Sequence, residues 1–308
     1  MIKNVLSVSG GKDSTAMILL SIALETENVK CVFADTGNEH PITYEYLDYL
    51  RDKLNIEIDV VKADFSMQIN RKRKKLLEGK LPGWSDSMTE RALEILFPSG
   101  NPFLDLCLWK GRFPSTKARF CTTELKRDPL INQAIMPELE NGDVWSWQGV
   151  RRDESFARRN ALEFEGVGGG LFNYRPIAKW NVESVFEAHK YMGVDSNPLY
   201  KLGMGRVGCM PCINCNKGEL RQIAQRFPEE IARIREWEAL VSQASKLGSA
   251  TFFCATRDPA YKGETVSSKT HGIDRRVEWS KTLRGGVKMD LFSDLPLHSC
   301  ASEYGLCE

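Results

Sequence analysis

The stretch that decides the fold is VLSVSGGKDS, residues 5–14. A short apolar run leads into Ser9-Gly10-Gly11-Lys12-Asp13-Ser14, and the residues that follow, STAMILLSIALETE, have the length and the apolar face of a helix. Glycines between a strand and a helix let the backbone approach a ligand closely, and the amides of a helix N-terminus attract anions. The stretch therefore predicts a strand, an anion-binding turn and a helix.

The same alternation continues to about residue 65. VKCVFA and IEIDVV have the character of buried strands, and ITYEYLDYLRDKL between them has the length of a helix. Short connections between alternating strands and helices predict an α/β fold, a parallel twisted sheet with helices on both faces. Ligands of such sheets bind at the carboxyl ends of the strands, which is where SGGKDS and ADTGNEHP lie.

The rest of the chain divides by composition. Residues 66–120 form a predicted insertion that begins with the basic run NRKRKKLLEGK, and the α/β pattern resumes at DVWSWQGV. From about residue 262 the chain is rich in Gly, Ser and Lys with little periodicity. We therefore predict an α/β domain over residues 1–225, and over 226–308 a helical segment with an irregular extension that contains cysteines.

Composition leaves the partner open. The chain has 308 residues, 42% hydrophobic and 27% charged, with 42 Lys and Arg against 41 Asp and Glu. A net charge of +1 argues neither for nor against a nucleic-acid partner, so only local patches are informative. The sequence has no apolar run of about 18 residues and no signal-peptide core near its start, which predicts a cytoplasmic protein without a membrane partner.

Three interpretations of the SGGKDS loop were weighed. Neither the Walker A spacing nor the dinucleotide fingerprint is present, and a tight turn with Asp13 or Ser14 as helix cap is the ordinary alternative. The third interpretation is a pyrophosphate-binding loop. In it, the amides of Gly10, Gly11 and Lys12 and the hydroxyls of Ser9 and Ser14 form a nest at the helix N-terminus, and Lys12 adds a positive charge.

Here the sequence resembles the PP-loop ATP pyrophosphatases, whose signature Ser-Gly-Gly-x-Asp-Ser it matches at every position. The resemblance implies that ATP binds here with Mg²⁺, that its α-phosphate is attacked and that pyrophosphate is released. Lys12 and Asp13 would be catalytic, and Asp13 would help to hold Mg²⁺, a hard cation that prefers oxygen ligands.

Later motifs resemble the phosphoadenosine-phosphosulfate (PAPS) reductase family. They are FADTGNEHPITYEYLDYL, PSTKARFCTTELKRDP, GVRRDES and NPLYKLGMGRVGCMPC, in the same order as in that family, and the resemblance covers roughly residues 1–225. It implies that Asp35, Thr36 and Gly37 lie beside the nucleotide and that residues 1–225 form a PP-loop nucleotide-binding domain.

Arginines follow the predicted strand DVWSWQGV. Arg151, Arg152 and Arg158 lie at its carboxyl end, where guanidinium groups suit the oxygens of phosphate or sulfate. We predict that they contact the nucleotide. The alternative is a solvated basic face that pairs with Asp153 and Glu154.

The nine cysteines are unevenly spaced. Cys209, Cys212 and Cys215 have the Cys-x-x-Cys-x-x-Cys spacing typical of iron–sulfur ligation. Members of the family that reduce adenosine phosphosulfate (APS) carry a Cys-Cys pair and a later Cys-x-x-Cys. This chain has Phe120-Cys121 in place of the pair, so one ligand of that pattern is missing and Cys215 would replace it. The resemblance thus implies a [4Fe–4S] cluster held by Cys121, Cys209, Cys212 and Cys215. Zinc is the main alternative, followed by free thiols. The sequence context of Cys31, Cys107 and Cys254 predicts packing residues.

The C-terminal end, HSCASEYGLCE, contains Cys300 and Cys307. PAPS reductases attack sulfur with a cysteine in a C-terminal ECG segment, which this end resembles in part. The resemblance implies that Cys307 is a nucleophile or persulfide carrier, with Cys300 as its resolving partner. A terminal thiol without a role is the alternative.

Three functions remain open on the sequence. The first is an ATP-dependent sulfur-transfer enzyme with an iron–sulfur cluster, similar to the DNA-phosphorothioation sulfurtransferase branch. That resemblance implies a nucleic-acid acceptor and a sulfur donor protein. NRKRKK would contact the nucleic acid, and the alternative is that this run is a solvated helix face. The second is a PAPS or APS reductase that yields sulfite with thioredoxin. The third is a nucleotide-binding module without turnover. The complete SGGKDS loop favours the first, because an enzyme that cleaves ATP needs it.

Overall fold

The computed structural model describes residues 2–253 and 267–282, with Ser302, Tyr304 and Leu306 near the C-terminal end. Its first part alternates strands and helices as predicted. The elements are β1 (Lys3–Val8), α1 (Lys12–Ala23), β2 (Val29–Asp35), α2 (Pro41–Leu54) and β3 (Ile58–Lys62).

Three further strands complete a six-stranded sheet of order β3-β2-β1-β4-β6-β5. They are β4 (Val144–Trp147), β5 (Phe164–Gly168) and β6 (Leu171–Tyr174). All neighbours pair in parallel except β5, which runs antiparallel to β6 at the edge. The predicted parallel sheet is thus confirmed, with one antiparallel strand at its edge, because the link between β5 and β6 is a two-residue hairpin and parallel strands need a long crossover.

Helices cover both faces of the sheet, as predicted. Alternate residues of β1 enter different apolar clusters: Leu6 and Val8 pack with α1 and α2, whereas Val5 packs with Ala134 and Ile135 on the other side. Successive side chains of a strand point to opposite faces, so one strand contributes to both clusters. β1 therefore lies in the centre of the fold, and its carboxyl end leads directly into the loop at Ser9.

The predicted insertion is helical. It contains α3 (Ser66–Leu77), α4 (Asp86–Ile95) and α5 (Pro102–Lys110). A continuous helical run follows, made of α6 (Phe120–Thr122), α7 (Asp128–Leu130) and α8 (Met136–Leu139) joined by π-helical stretches over 123–127 and 131–135. Each π stretch precedes a turn that contains a proline, which has no N–H to continue the regular pattern.

The last described helices are α9 (Val182–Tyr191), α10 (Lys217–Arg226), α11 (Pro228–Ala244), α12 (Ser268–His271) and α13 (Ile273–Ser280). Buried side chains of α10 and α11 share one apolar cluster with those of α3–α5. Residues on either side of position 225 thus contribute to one core, while the predicted boundary itself stays a prediction. Of the helices that the structure describes, none has both the length and the apolarity to cross a bilayer.

Candidate functional site

The loop after β1 is folded tightly around its own side chains. Gly10 has a φ of +69°, and a Cβ there would lie 3.0 Å from Thr43 Cγ2, so both conformation and space require glycine. The Ser14 hydroxyl accepts from the Ser9 amide at 3.1 Å and donates to the Gly11 carbonyl at 2.9 Å. α1 begins at Lys12 with Gly11 as its N-cap, so the alternative in which Asp13 or Ser14 caps the helix is not observed.

Three buried side chains from a later part of the chain brace this loop. Tyr200 Oη accepts from the Lys12 amide at 2.9 Å, and Asn197 Nδ2 donates to the Gly10 carbonyl at 3.1 Å. His189 Nε2 lies 3.0 Å from the Lys12 carbonyl. The sequence analysis missed these residues, although Asn197 and Tyr200 fall within the motif NPLYKLGMG. Contacts within the chain therefore hold the loop in shape.

A buried charge cluster lies at the start of α1. Arg151 Nε is 2.5 Å from Asp13 Oδ1, and Lys12 Nζ is 3.5 Å from Asp13 Oδ2. Lys12 Nζ also lies over two aromatic rings, 5.2 Å from the centroid of Tyr200 and 4.9 Å from that of Tyr304. Both Lys12 and Arg151 are buried. Lys12 and Arg151 thus converge on Asp13 at a helix N-terminus, whose backbone amides favour an anionic ligand.

The amides of the loop are also suited to an anion. Among the described residues, no hydrogen-bond partner is found for the amides of Gly10 and Gly11. Of the predicted nest, the structure brings together all five residues at one turn, namely Ser9, Gly10, Gly11, Lys12 and Ser14. Unpaired backbone donors beside a lysine are the usual elements of a phosphate site.

The predicted arginines do not all reach this turn. Arg151 does, and it also pairs with Asp153. Arg152 Nε donates instead to the Ala161 carbonyl at 2.9 Å, and the exposed Arg158 pairs with Glu154. Pairing with neighbouring carboxylates, the alternative weighed for this segment, therefore holds for Arg158, and only Arg151 lies at the loop.

The side chains of the second loop, residues 35–40, form hydrogen bonds within the loop itself. Asp35 Oδ1 accepts from the Gly37 amide at 2.9 Å, and a Cβ on Gly37 would lie 2.8 Å from Asn101 Nδ2. Thr36 donates its hydroxyl to Glu39, whose carboxylate is buried. These contacts explain the residue types at Asp35, Thr36 and Gly37 without a ligand, so their predicted place beside a nucleotide stays a prediction.

Glu39, which the sequence analysis did not single out, joins the second loop to the cysteines. It forms an isolated antiparallel bridge with Cys209, and Cys209 Sγ donates to Glu39 Oε1 at 3.8 Å. Lys126 Nζ lies 4.0 Å from the same oxygen, and Thr36 Oγ1 is 3.4 Å from Cys209 Sγ. The second strand end and the first thiol of the CMPCINC run therefore form one polar cluster.

The four predicted ligand cysteines lie in one neighbourhood. Burial, followed by the charge of Cys212, raises the pKa of Cys121, and Cys212 also contributes to the raised pKa values of Cys209 and Cys215. The pKa of Cys209 reaches about 12, chiefly through burial, although Lys126 acts in the opposite direction. Cys212 thus lies close enough to the other three thiols to influence each of them.

These thiols have the chemistry of a metal site, but in the described residues they do not have its geometry. Four sulfur donors in one place are chemically suited to an iron–sulfur cluster or to zinc. Within residues 2–253 and 267–282, however, no three His, Cys, Asp or Glu side chains are arranged so that they could hold a metal ion. The four cysteines are ligands of the type that an iron–sulfur cluster or zinc needs, and they lie near one another. Their sulfur atoms would have to move closer together to bind either group.

The remaining cysteines fall into two groups. Cys31 and Cys107 are buried in apolar clusters, which confirms their prediction as packing residues. Cys254, Cys300 and Cys307 lie outside the described residues, so their predicted roles, including that of Cys307 as nucleophile, stay predictions.

Comparison with known proteins relates this site to one family. The family model for the phosphoadenosine phosphosulfate reductase domain matches residues 3–215. An uncharacterized 37.8 kDa protein from the gpa 5′ region of Escherichia phage 186 is 47% identical over 328 aligned positions, which cover 99% of this chain and 96% of that protein. The phosphoadenosine 5′-phosphosulfate reductase of Cronobacter sakazakii is 26% identical over 66% of this chain and 68% of its own length.

Similarity to solved structures is weaker. The PAPS reductase of Candida auris, solved as a phosphate complex, superposes with a TM-score of 0.42 at 16% identity. The superposition covers 68% of this chain and 82% of that chain.

Proposed function

The chain belongs to the phosphoadenosine phosphosulfate reductase family, and from this premise we propose that it is an ATP-dependent sulfur-transfer enzyme. Its loop would bind ATP, and the enzyme would adenylate an acceptor with release of pyrophosphate. The observation that carries the proposal is the complete Ser9–Ser14 loop, which is folded and braced, with unpaired glycine amides beside the buried Lys12.

Each of the loop residues would make a different contact with ATP and Mg²⁺. The amides of Gly10 and Gly11 would donate to the oxygens of the β- and γ-phosphates, and Lys12 would neutralise part of their charge. Because Asp13 Oδ1 is held by Arg151, Asp13 Oδ2 is the oxygen that would face a phosphate-bound Mg²⁺. Binding of Mg²⁺ would then displace the weaker contact between Asp13 and Lys12 and free Lys12 for the phosphates.

The chemistry would proceed in two displacements. An acceptor oxygen attacks the α-phosphorus of ATP, a P–O bond to the acceptor forms, and the bond to the bridging oxygen breaks, so that pyrophosphate leaves with the electron pair. A sulfur nucleophile at the sulfide level, supplied by a donor protein, then attacks the acceptor atom that bears the adenylated oxygen; a bond from sulfur to that atom forms, its bond to the oxygen breaks, and AMP leaves with the electron pair. Neither step changes the net oxidation state, so no further reductant is needed.

Cys121, Cys209, Cys212 and Cys215 would hold a [4Fe–4S] cluster, with zinc as the alternative. A cluster bound there would supply a site at which inorganic sulfide can be held before transfer. The chain's own contribution is Lys126 and Glu39, which place one cation and one carboxylate beside Cys209. Lys126 offsets part of the negative charge that thiolate ligands would bring together.

A second candidate, a thiol-dependent PAPS reductase, is supported by the relative of that name in Cronobacter sakazakii. In it the loop would bind a substrate phosphate, and Cys307 would attack the sulfate sulfur of PAPS. The resulting intermediate would be resolved by thioredoxin, with sulfite as product.

Assays with ATP labelled in its phosphates separate the two candidates. Purified anaerobically, the enzyme should release pyrophosphate only with Mg²⁺, an acceptor and a sulfide source all present. Sulfite formation from PAPS and thioredoxin, without consumption of ATP, would overturn the proposal in favour of the reductase. Nucleotide binding with neither product would leave a binding module.

A further inference from the structure

A second concave site lies away from the nucleotide loop, on the helical side of the molecule. It is a groove of about 570 Å³ between α3, the end of α5 and the residues after α11, and we call it the basic groove. Six cations line it, which are Arg71, Lys72, Lys75, Lys110, Arg112 and Lys246. Two tryptophans, Trp84 and Trp109, also line it.

The charge of the basic groove is one-sided. No acidic residue is found among the described residues that line it, although the chain as a whole has 42 Lys and Arg against 41 Asp and Glu. Cations from three separate segments converge here, and of the six only Lys110 pairs with a carboxylate of a described residue, so the others repel one another and a polyanion would relieve that repulsion. The groove therefore has the charge expected of a binding site for a polyanion.

The cations have different structural roles. Lys72 is a brace, because its Nζ donates to the carbonyls of Leu108 and Trp109 at 3.0 Å and of Ala244 at 3.3 Å. Burial lowers the pKa of Lys72 to about 8, as expected for an ammonium that faces only neutral groups. It holds the walls of the groove together.

Other cations are available to a ligand. Arg71 and Lys75 lie one turn apart on α3, and Arg112 follows α5; all three are exposed and form no ion pair with a described residue. Lys110, by contrast, is paired with Glu124 at 2.8 Å. The unpaired cations thus come from two sides of the groove, as contacts along an extended anionic chain would require.

The aromatic lining favours a ligand with flat rings. Trp84 is half-buried, and its described cation contact is Lys72, 5.8 Å from the ring centroid. Trp109 is less open, because it stacks on Phe65 and has Lys110 Nζ 3.8 Å from its ring centroid. Gln68, in the same lining, has a buried side-chain oxygen without a hydrogen-bond partner among the described residues. Trp84 is therefore the ring on which a base can stack.

One end of the basic groove adjoins Phe120. Arg112 lies 5.5 Å and Lys110 5.9 Å from the ring centroid of Phe120, the residue before Cys121. A chain bound along α3 and past Arg112 would therefore reach the side of the molecule where Cys121 lies.

We propose that the basic groove binds single-stranded nucleic acid, with phosphates at Arg71, Lys75 and Arg112 and a base on Trp84. Cations that follow a backbone, with an aromatic ring beside them, are the features by which proteins bind single strands. A stacked duplex offers no free base to Trp84, and an acidic peptide would not use it. That the bound strand is the acceptor of the reaction rests on the proposed function, whereas the binding itself does not.

Binding is tested with short, labelled single-stranded DNA and RNA oligonucleotides by fluorescence anisotropy. The double variant Arg71→Glu/Lys75→Glu should weaken binding about tenfold or more, with a shallower dependence on salt. The matched control, Lys53→Glu/Lys190→Glu, reverses two exposed cations on α2 and α9 and should bind as the unchanged protein does.

The aromatic contact is tested separately. Trp84→Ala should lose about tenfold in affinity, while Trp84→Phe, which keeps a ring, should lose much less. Melting temperatures check that both variants fold. Equal affinity for a duplex or for an acidic peptide would overturn the proposal, and so would an equal loss in both charge-reversal variants.

Pyrophosphate release by the same proteins separates this inference from the proposed function. Stimulation of release by the single strand, lost only when Arg71 and Lys75 are reversed, supports both. Strand binding in the basic groove without any use of ATP would leave the inference standing and reject the proposed function. Use of ATP together with groove-independent strand binding would reject the inference alone.

Discussion

The nucleotide loop, residues 9–14, and the thiol segment, residues 209–215, are both parts of the candidate site, but they are prepared for their ligands to different degrees. In the loop, Gly10, Ser14 and Lys12 each have a defined contact, and the backbone already has the shape of an anion nest. In the thiol segment the cysteines are neighbours, yet the described residues form no metal-holding arrangement. A phosphate site built from backbone can form without its ligand, whereas a thiolate site forms together with its metal.

The two regions also differ in what supports them. The loop joins β1, whose side chains enter the apolar clusters on both faces of the sheet, to α1, which packs on one face. The thiol segment depends on a side chain of a distant helix: Arg233 of α11 donates to the Met210 carbonyl at 2.7 Å and to Asn38 Oδ1 at 3.0 Å. Changes in the loop's own residues and in the side chains that brace it should therefore affect the loop, and changes in α11 should affect the thiol segment.

Replacement of Lys12 should have the largest effect. Lys12→Ala removes a buried cation from the anion nest, so we expect ATP affinity or turnover to fall by about 100-fold or more. Lys30→Ala, which removes a cation that pairs with Asp59 and Glu138 elsewhere, is the control and should leave ATP binding unchanged. Calorimetric titration with ATP and Mg²⁺ measures the affinity. Unchanged affinity in Lys12→Ala would show that the loop is not the nucleotide site.

The pH dependence of stability should distinguish the helical side from the loop. Glu238 of α11 is buried and accepts from the amides of Phe252 and Ile273 at 2.7 and 2.8 Å. Burial raises the pKa of Glu238 from 4.5 to about 7. Because the folded state keeps this proton while the unfolded state loses it, the stabilisation is complete below pH 4.5 and is lost as pH rises through about 7.

The expected loss in the free energy of unfolding is about 3 kcal/mol across that window. Glu238→Gln should flatten this part of the curve, and Glu183→Gln, which changes an exposed glutamate of α9, should not. Chemical denaturation at a series of pH values measures both. Parallel curves for wild type and Glu238→Gln would show that the pKa of Glu238 is not raised in the folded state.

Loss of a thiol should separate the two regions. Cys212 influences the other three cysteines, so Cys212→Ser should reduce bound metal by about tenfold or more while ATP affinity stays unchanged. Cys31→Ala, which removes a thiol buried in β2, should keep the metal. Metal analysis after anaerobic purification gives the result. Full metal content in Cys212→Ser would remove this residue from the ligand set.

The sequence predicts the local features of the site, but not the contacts between residues that are distant in the chain. The loop, its glycines and β1–α1 are local features, so the pattern VLSVSGGKDS indicated them correctly. Tyr200 and His189, by contrast, reach the loop from almost 190 and 177 positions away, and no periodicity relates them to it. The antiparallel β5 had a local signal, since Gly168-Gly169-Gly170 allows only a tight hairpin before β6. Arg152 and Arg158 were grouped with Arg151 by proximity in sequence, but after a strand end neighbouring side chains point in different directions.

The smallest effect, and the finest test of the preformed loop, concerns Tyr200. Tyr200→Phe removes the acceptor of the Lys12 amide, so stability should fall by about 1–2 kcal/mol. Tyr49→Phe is a matched control, because the Tyr49 hydroxyl also accepts from a backbone amide, that of Asp195 at 3.0 Å. Both variants should lose similar stability, but only Tyr200→Phe should change ATP affinity, by a few-fold, since it alters the orientation of a loop amide. If the two variants bind ATP equally, Tyr200 stabilises the fold near the loop without setting the loop's geometry. The shape of the loop would then depend on its serine and glycine contacts alone.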